Sequence, residues 1–591
     1  MERTIDPILV EVMKHELAAV AEEMAIAVSK TGRSAMVKIG DFAAAICDGQ
    51  GRLIGPGYAA PFQLAIFMEV MASVVEKWGG KLKPGDILVV NDPYAGMGHL
   101  PDVAIVAPVF WRNPHNQKDE VVAFNLAYSH HTDIGGRFAG GFSSQCTEMF
   151  EEGLRLPLVK LYSEGQRNEG LLDTILANVR TPDEWIGDAE AKIAGCWRGE
   201  QEILRMIEKY GVETFTSSCE YLMDYAERET RAAIQAIPDG LYEHEDFFED
   251  DGFGTAGVAL RLKIALRVEG DTLTADFTGT DPQARGAINL PLSMTKSMVY
   301  AALKVMVHPD VLLNVGFARP IEIITQLGSL INPQYPAAVG GRAPLSFCLF
   351  DVVFRALAKA LPDRVPIAGE GGDILHFAGT KADGTPFAML DGFFGGWGGR
   401  PMKDGIDGVT PMTFGSYGTT PAELLEREYP LVVEGFGYKP DTGGAGKYRG
   451  SLSVYRHWRF LQPGKIMIRT NRLSRPSEGL AGGQPGGLSE NLWNPDTEDK
   501  QLQRQTHIHL DVRPGDRLHH VVSGSGGHGA PWTRDPGKVF ADVKDEKVSI
   551  AGAREQYGVV IDTDPLTVNW EQTKQLRETR QASGQVVAAA D

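Results

Sequence analysis

The sequence predicts a mixed α/β (α+β) protein, a large multi-layer subunit with a mixed sheet in its N-terminal part and a β-rich C-terminal region. Three observations predict this class. Apolar residues recur at helical spacing in several long segments, short apolar runs bounded by turn residues lie between those segments, and beyond about residue 440 glycine is dense and the runs are short. The chain has 591 residues, more than one hydrophobic core usually supports, so several structural units are expected.

Residues 1–240 are predicted to form an α/β region. Helices are expected at 7–29 and 62–78, where apolar positions recur every three to four residues, and 168–236 is expected to be mainly helical. A hairpin is expected at 41–54 around the turn Asp-Gly-Gln-Gly. Short apolar runs predict three further strands, at 86–90, 103–111 and 120–129.

Residues 241–440 are predicted to be a mixed α/β middle region, and residues 441–565 a β-rich C-terminal region. The acidic stretch at 243–252 is expected to be a solvated loop that a glycine ends. Residues 566–591 are polar or small without a clear apolar stripe, which predicts a disordered tail. Within the middle region we expect a hairpin over 258–277 and helices at 294–307 and 350–361.

Charge and hydropathy argue against two classes of partner. The chain has 77 acidic and 58 basic residues, a formal charge of −19, and no basic block, so neither nucleic acid nor an anionic membrane is expected to bind. No apolar run reaches the roughly 18 to 20 residues that a membrane helix needs. Five cysteines without short spacing favour neither a disulfide framework nor a thiolate zinc site. The cysteine pattern and an N-terminus unlike a signal peptide together predict a cytoplasmic protein.

The stretch NDPYAGMGHLPDV, residues 91–103, joins two predicted strands and contains His99 and Asp102. One interpretation is a tight loop with incidental polar groups, and the other is a pair of metal ligands. His130 ends the next predicted strand, and antiparallel pairing of the two strands that follow the loop would bring it to the same edge. Two imidazoles and a carboxylate suit Zn²⁺, Mn²⁺ or Fe²⁺ rather than calcium, which prefers oxygen ligands.

Nucleotide binding is not predicted within this chain. No Gly-x4-Gly-Lys-Ser/Thr loop occurs, and GGAGKYRG at 443–450 lacks the hydroxyl residue that would follow Lys447 and reach magnesium. His507 with His509, and the adjacent pair 519–520, lie on predicted strands without a carboxylate at ligand-like spacing. Both histidine pairs are therefore interpreted as structural.

Several motifs in order resemble the hydantoinase B family, which includes B-type subunits or regions of ATP-dependent hydantoinases, 5-oxoprolinases and caprolactamase, and the corresponding subunits of acetone and acetophenone carboxylases. The resemblance extends from about residue 5 to 562. The motifs that carry it are NDPYAGMGHLPDV, HHTDIGG (130–136), DFTGTDPQARGAINLP (276–291), GGRPMKDGIDG (398–408), DTGGAGKYRG (441–450) and GSGGHGAPWTRDP (524–536).

The resemblance implies a four-residue metal site. In relatives with a bound metal, the matching ligand positions are Asp41, His99, Asp102 and His130 of this sequence. The implied cofactor is a divalent metal, zinc or manganese, with iron as a further option. In addition, the resemblance makes His131 and Asp133 candidate catalytic residues, for proton transfer or for orienting ligands, and makes Asn91 and Tyr94 candidates for contacting substrate or ordering the loop.

The resemblance also implies that two different subunits carry out the two steps of the reaction. ATP is bound by a partner subunit, a hydantoinase A-type ATPase in an A2B2 heterotetramer, and this chain would process the activated small-molecule cyclic amide. Two alternatives stay open: the B-type component of an ATP-dependent ketone carboxylase, and a scaffold that only supports the ATPase. Many relatives have His-Leu-Gly at Gln63-Leu64-Ala65 and Thr at Gly98, so a difference in substrate or proton path is expected.

Overall fold

The computed structural model describes residues 7–56, 63, 65–255, 257–307, 309–369, 371–413, 415 and 418–582. It confirms the predicted mixed α/β class. Within these residues no helix has the length and apolar character required to cross a membrane. The helices are α1 (Pro7–Thr31), α2 (Ala35–Lys38), α3 (Ile66–Trp78), α4 (Glu169–Asn178), α5 (Pro182–Tyr210), α6 (Val212–Gln235), α7 (Leu292–Val307), α8 (Val315–Ala318), α9 (Ala343–Ala360), α10 (Ala422–Glu428), α11 (Pro536–Lys544), α12 (Ile550–Tyr557) and α13 (Trp570–Ala582).

The N-terminal part is built on a sheet whose strands pair in the order β2-β1-β5-β4-β3-β6-β7. The hairpin predicted at 41–54 and the three predicted strands are confirmed. The expectation of a mixed sheet is wrong, because every pairing in it is antiparallel, with short connections inside β1–β2, β4–β5 and β6–β7. The strands are β1 (Phe42–Asp48), β2 (Leu53–Pro56), β3 (Ile87–Val90), β4 (Asp102–Arg112), β5 (Asp119–His130), β6 (Val159–Ser163) and β7 (Gln166–Arg167).

Alternate residues of this sheet face two different layers. Ala44 and Ile46 pack in one core with α1 and α5, whereas Ala43 and Ala45 pack in another with α3, α7 and α9. The sheet is therefore buried on both faces, which explains why its strands form continuous apolar runs in the sequence. Helix α3 begins four residues after the predicted start, and residues 62 and 64 lie outside the described part of the chain.

The middle part contains a second sheet, which packs against α9. The predicted solvated loop at 243–252 is wrong over its first half, because residues 243–248 lie in an edge strand whose charged side chains alternate outward. The helix predicted at 350–361 begins earlier, where Pro344 occupies a first-turn position that needs no backbone donor. The strands pair in the order β11-β10-β9-β8, with bounds β8 (Gly240–Phe248), β9 (Leu260–Glu269), β10 (Thr272–Asp276) and β11 (Ile321–Ile324).

Two larger sheets occupy the C-terminal part, in the orders β13-β12-β18-β21 and β16-β17-β22-β19-β20. The first contains strands from both sides of residue 440, so the predicted boundary there does not separate sheets. The strands are β12 (Gly372–Thr380), β13 (Pro386–Phe394), β14 (Gly396–Trp397), β15 (Ile406–Asp407), β16 (Leu431–Lys439), β17 (Ser453–Phe460), β18 (Gly464–Arg469), β19 (Glu490–Trp493), β20 (Gln501–Gln503), β21 (His507–Val512), β22 (Arg517–Val521), β23 (Ile561–Thr563) and β24 (Leu566–Val568).

The tail predicted as disordered from 566 is ordered as far as residue 582. It forms β24 and α13, although the helix has little apolar character. Polar contacts hold it instead: Arg577 donates to the carbonyl oxygens of Arg534 and Tyr557, and the Thr573 hydroxyl accepts the backbone N–H of Val560. The last nine residues, 583–591, lie outside the described part of the chain.

Helix α1 packs on α5 through Gly195, and this contact supports the layer that covers β4 and β5. A Cβ on Gly195 would lie 2.9 Å from the Met24 carbonyl oxygen and 3.1 Å from Val28 Cγ2. Since a backbone atom cannot yield locally, we expect Gly195→Ala to lower the free energy of unfolding by about 1–3 kcal/mol. Urea denaturation measures this value.

Gly170→Ala is the matched control. Gly170 lies in the first turn of α4, where the nearest atom to an added Cβ is Asn168 Oδ1 at 3.8 Å. We expect no loss of stability, or a gain of up to about 1 kcal/mol, because alanine reduces the entropy of the unfolded chain. Equal destabilisation by both substitutions would contradict the close helix contact.

Candidate metal centre

The loop that carries His99 folds tightly because its own polar groups are hydrogen-bonded. The Asn91 side-chain amide donates to the Leu100 and Leu154 carbonyl oxygens at 2.8 and 2.9 Å, and its oxygen accepts the Leu156 N–H at 2.6 Å. Gly96 has φ 105°, and a Cβ there would lie 2.5 Å from the backbone nitrogen of Val70 in α3. The loop is thereby fixed against α3 before it reaches His99.

Antiparallel pairing of β4 with β5 sets Asp102 directly opposite His130. His99 Nε2 lies 3.1 Å from Asp102 Oδ1 and 3.1 Å from His130 Nδ1, and His130 Nδ1 lies 3.2 Å from Asp102 Oδ1. All three side chains are buried. The predicted convergence of His99, Asp102 and His130 is thus present in the structure as a closed triangle of ligand-type atoms.

The protonation states of the cluster suit metal coordination. Burial, together with the nearby Arg342 cation, lowers the pKa of His99 to about 3, so its imidazole is neutral. Burial alone would raise the pKa of Asp102, but His99, His130 and Arg342 outweigh it and hold the pKa well below its ordinary value. A neutral imidazole and an ionised carboxylate are the forms that bind metal ions.

The spacing of the three atoms also fits one ion. Ligand atoms at about 2.1 Å from a common ion lie about 3.0–3.4 Å apart for angles between octahedral and tetrahedral. The three observed separations fall in this range. His99 Nδ1 and His130 Nε2, the other ring nitrogens, have no hydrogen-bond partner among the described residues, and each would carry the ring proton if the opposite nitrogen binds a metal ion.

Asp41, the fourth predicted ligand, lies beside the cluster but is not one of the three convergent groups. Its backbone carbonyl accepts the His130 N–H at 3.1 Å, next to the start of β1. Its carboxylate accepts the Gln63 amide at 3.5 Å. Asp41 as a metal ligand stays a prediction.

His131 and Asp133, the predicted catalytic residues, point away from the triangle. Because side chains alternate along the chain, His131 faces α5, where its Nε2 lies 2.7 Å from the buried Lys192 Nζ and its ring contacts Trp185. The Asp133 carboxylate accepts the backbone N–H groups of Gly135, Gly140 and Arg180 as well as the Arg180 guanidinium. Asp133 therefore shapes the loop that follows β5.

Other contacts order the surroundings of the cluster. Tyr94 donates its hydroxyl to the Ala337 carbonyl oxygen at 2.8 Å, and Asn91 makes the loop contacts given above, so both residues order backbone. The Phe142 ring stacks on His130 with centroids 5.1 Å apart, and it contacts the His99 ring at a tilt of 53° with centroids 5.3 Å apart. Phe142 thus covers one side of the two imidazoles.

Sequence reasoning missed Arg342 and Phe142, which contact this centre, and Lys192, which lies beside it. The Arg342 guanidinium donates to Asp102 Oδ2 at 3.0 Å, across 240 positions in the chain. Lys192 donates to the Val103 carbonyl oxygen at 2.8 Å, next to Asp102. The Gly-Gly before Arg342 and the one lysine in the apolar face of α5 are visible signals, but neither identifies the partner.

Comparisons with known proteins show the family and the fold. A family model described as hydantoinase B/oxoprolinase matches residues 6–531. A protein of Pseudomonas sp. strain NS671, named as the candidate B component of a D-/L-hydantoinase, is 31% identical over 98% of each chain. The crystal structure of ATP-dependent caprolactamase from Pseudomonas jessenii superposes with a TM-score of 0.88 and 27% identity, covering 98% of this chain and 100% of that one. A nucleotide-free acetone carboxylase structure shares the fold at TM-score 0.87 and 19% identity, over 99% and 84%.

The buried Lys192 makes the stability of the folded protein depend on pH. Burial lowers the pKa of Lys192 to about 7, although Asp188 and Asp102 oppose the shift. An unfolded lysine titrates near pH 10.4, so between about pH 7 and 10 the unfolded chain binds more protons and the free energy of unfolding rises with pH. Between pH 7 and 9, we expect the free energy of unfolding of wild type to rise by about 2 kcal/mol more than that of Lys192→Met. Urea denaturation at each pH measures the difference.

Lys209→Met provides the control on the same helix, because Lys209 is exposed and paired with Glu16. Its profile should run parallel to that of wild type over this pH range. If the free energy of unfolding of Lys192→Met changes with pH in parallel with that of wild type, Lys192 is not a buried lysine with a lowered pKa.

Proposed function

The chain belongs to the hydantoinase B/oxoprolinase family, and on that premise we propose that it is the metal-dependent B-type component of an ATP-dependent cyclic-amide hydrolase. Its substrate is a lactam, hydantoin or 5-oxoproline-like ring whose oxygen a partner A-type ATPase has phosphorylated. The observation that carries the proposal is the closed triangle of His99 Nε2, Asp102 Oδ1 and His130 Nδ1, buried at the end of β4 and β5.

These three residues hold one divalent ion, zinc, manganese or iron, and Asp41 is assigned as a further ligand. When bound, such an ion supplies Lewis acidity, which activates water and stabilises negative charge that develops on the substrate. The donor set supports this class of ion, since it combines two imidazole nitrogens with carboxylate oxygen.

The chain's own residues set the environment of the reaction. Burial of the triangle excludes bulk water, and the Phe142 ring restricts both imidazoles, by stacking on His130 and by a tilted contact with His99. Lys192 and His131 form a buried proton-holding pair behind β5, and Asp133 fixes the loop that carries Phe142. We assign His131 and Asp133 to positioning the ligands and the loop, and His131 also to exchanging a proton with Lys192.

Phosphorylation supplies the chemical activation that a buried metal alone lacks. An unstrained cyclic amide resists hydrolysis, whereas a phosphorylated amide oxygen is a good leaving group. The sequence has no Gly-x4-Gly-Lys-Ser/Thr loop, which supports assigning ATP to the partner. The working form in this proposal is a cytoplasmic A2B2 heterotetramer.

Removal of a triangle member tests the metal. We expect His99→Ala to lose at least about 90% of the bound divalent ion and the ring-opening activity, because loss of one ligand from three or four weakens binding by orders of magnitude. Inductively coupled plasma mass spectrometry measures the ion. His115→Ala, at an exposed turn, should retain both, and a fully active His99→Ala complex would contradict the metal assignment.

Labelled bicarbonate separates hydrolysis from carboxylation. The complex purified with its ATPase partner, given ATP and a cyclic amide, should open the ring without bicarbonate and incorporate no label. An acid product that carries the label would contradict the hydrolase proposal and indicate a ketone carboxylase.

The scaffold alternative has its own signature. A His99→Ala complex that loses both metal and assembly would indicate a structural ion, whereas the catalytic proposal expects an assembled complex that still binds nucleotide. Size-exclusion chromatography with bound-nucleotide analysis distinguishes the two.

A further inference from the structure

A second charged group touches the triangle from the side opposite to the imidazoles. Asp102 uses Oδ1 toward His99 and His130 and Oδ2 toward the Arg342 guanidinium, at 3.0 Å. Only one carboxylate therefore separates Arg342 from the ligand atoms. Any group bound by Arg342 lies next to the ion proposed above.

The backbone that presents Arg342 is held firmly. Glu152 Oε1 accepts the N–H groups of Val339 and Gly340 at 2.9 and 2.6 Å, and the Gly341 N–H donates to the Ala287 carbonyl oxygen at 2.8 Å. These bonds fix the turn that leads into α9. The fold thus sets the backbone position of Arg342, and the ion pair with Asp102 sets the guanidinium.

Arg342 has donor capacity that Asp102 does not use. The side chain is 5% exposed, and its Nε has no hydrogen-bond partner among the described residues. Leaving a buried cationic N–H unpaired is costly, which points to a ligand that supplies the acceptor. Helix α9 starts at the next residue without a side-chain cap, so its positive end adds to the same potential.

The charge balance depends on the ion. In the absence of metal, the Asp102 carboxylate offsets the charge of the Arg342 guanidinium. A divalent ion beside this pair adds positive charge, and the site then favours an anion.

Position 98 brings the backbone of the loop directly against the ion pair. A Cβ on Gly98 would lie 2.7 Å from Asp102 Oδ2 and 2.9 Å from Arg342 Nη2. Glycine therefore places no side chain against the two groups, whereas any larger residue would crowd them.

We propose that Arg342 binds the phosphoryl group of the activated substrate beside the metal ion, and that glycine at position 98 keeps a side chain out of this contact. The planar guanidinium matches two oxygens of a tetrahedral anion, and a cation fits phosphate better than a neutral donor does. The inference rests on the proposed function, because the phosphoryl group belongs to the substrate named there.

The test uses full-length protein loaded with Mn²⁺, with inorganic phosphate as the probe. Bound Mn²⁺ is counted by electron paramagnetic resonance, and phosphate beside it is detected by broadening of its ³¹P resonance. We expect wild type to bind phosphate only when Mn²⁺ is present. Arg342→Met should keep Mn²⁺ and weaken phosphate binding about tenfold or more, with Arg342→Lys intermediate.

Arg456→Met is the matched control. Like Arg342, Arg456 is buried and paired with one buried carboxylate, that of Asp391, which lies far from it in sequence. It should bind phosphate like wild type. Acetate serves as a second probe, read from its ¹H relaxation, and stronger Arg342-dependent binding of acetate than of phosphate would assign the site to a substrate carboxylate and overturn the phosphoryl assignment.

The remaining outcomes separate the two proposals. Equal phosphate binding by wild type and Arg342→Met, both loaded with Mn²⁺, overturns the role of Arg342 and leaves the metal-dependent hydrolase intact. Loss of Mn²⁺ from both Arg342 variants would show that Arg342 only positions the Asp102 carboxylate for the ion. That result also overturns the inference. Wild type that binds no divalent ion overturns the proposed function and the inference with it.

Discussion

The antiparallel register of β4 and β5 is the constraint on which the rest of this structure depends. It sets Asp102 opposite His130, and the connection before β4 brings His99 to the same point. Because side chains alternate along a strand, a shift of one residue would replace His130 with His131 and turn the carboxylate away. The two helical layers that bury both faces of the sheet hold this register, since any slip would expose their apolar contacts.

Buried charge is the second consequence of this arrangement. A carboxylate, an arginine and a lysine whose pKa burial lowers to about 7 lie in or beside the centre, each with less than a tenth of its surface exposed. Burial opposes the charged form of each, and the fold offsets that cost through specific pairs: Asp102 with Arg342, and Lys192 with the Val103 carbonyl oxygen and His131. Buried ionisable groups with perturbed pKa values cluster at sites that bind ions or substrates, which is the physical basis of both proposals.

Sequence reasoning reached the parts of the site that are close in the chain. His99 and Asp102 share a short loop, and apolar runs revealed the two strands that return His130 to it. Arg342 lies 240 positions from its partner, and no local pattern reports so distant a contact. For the same reason the final helix was missed, because Arg577 anchors it through backbone oxygens of earlier segments and not through an apolar stripe. The sheet that joins β12 with β18 likewise depends on pairing across residue 440.

The central claim is that one divalent ion binds His99, Asp102 and His130 together. X-ray absorption spectroscopy of the purified, zinc-loaded protein tests it most directly, because outer-shell scattering identifies imidazole rings around the absorbing atom. We expect a first shell of nitrogen and oxygen only, at about 2.0–2.2 Å, with scattering from two imidazoles. A shell with sulfur, or one without imidazole scattering, would contradict the claim.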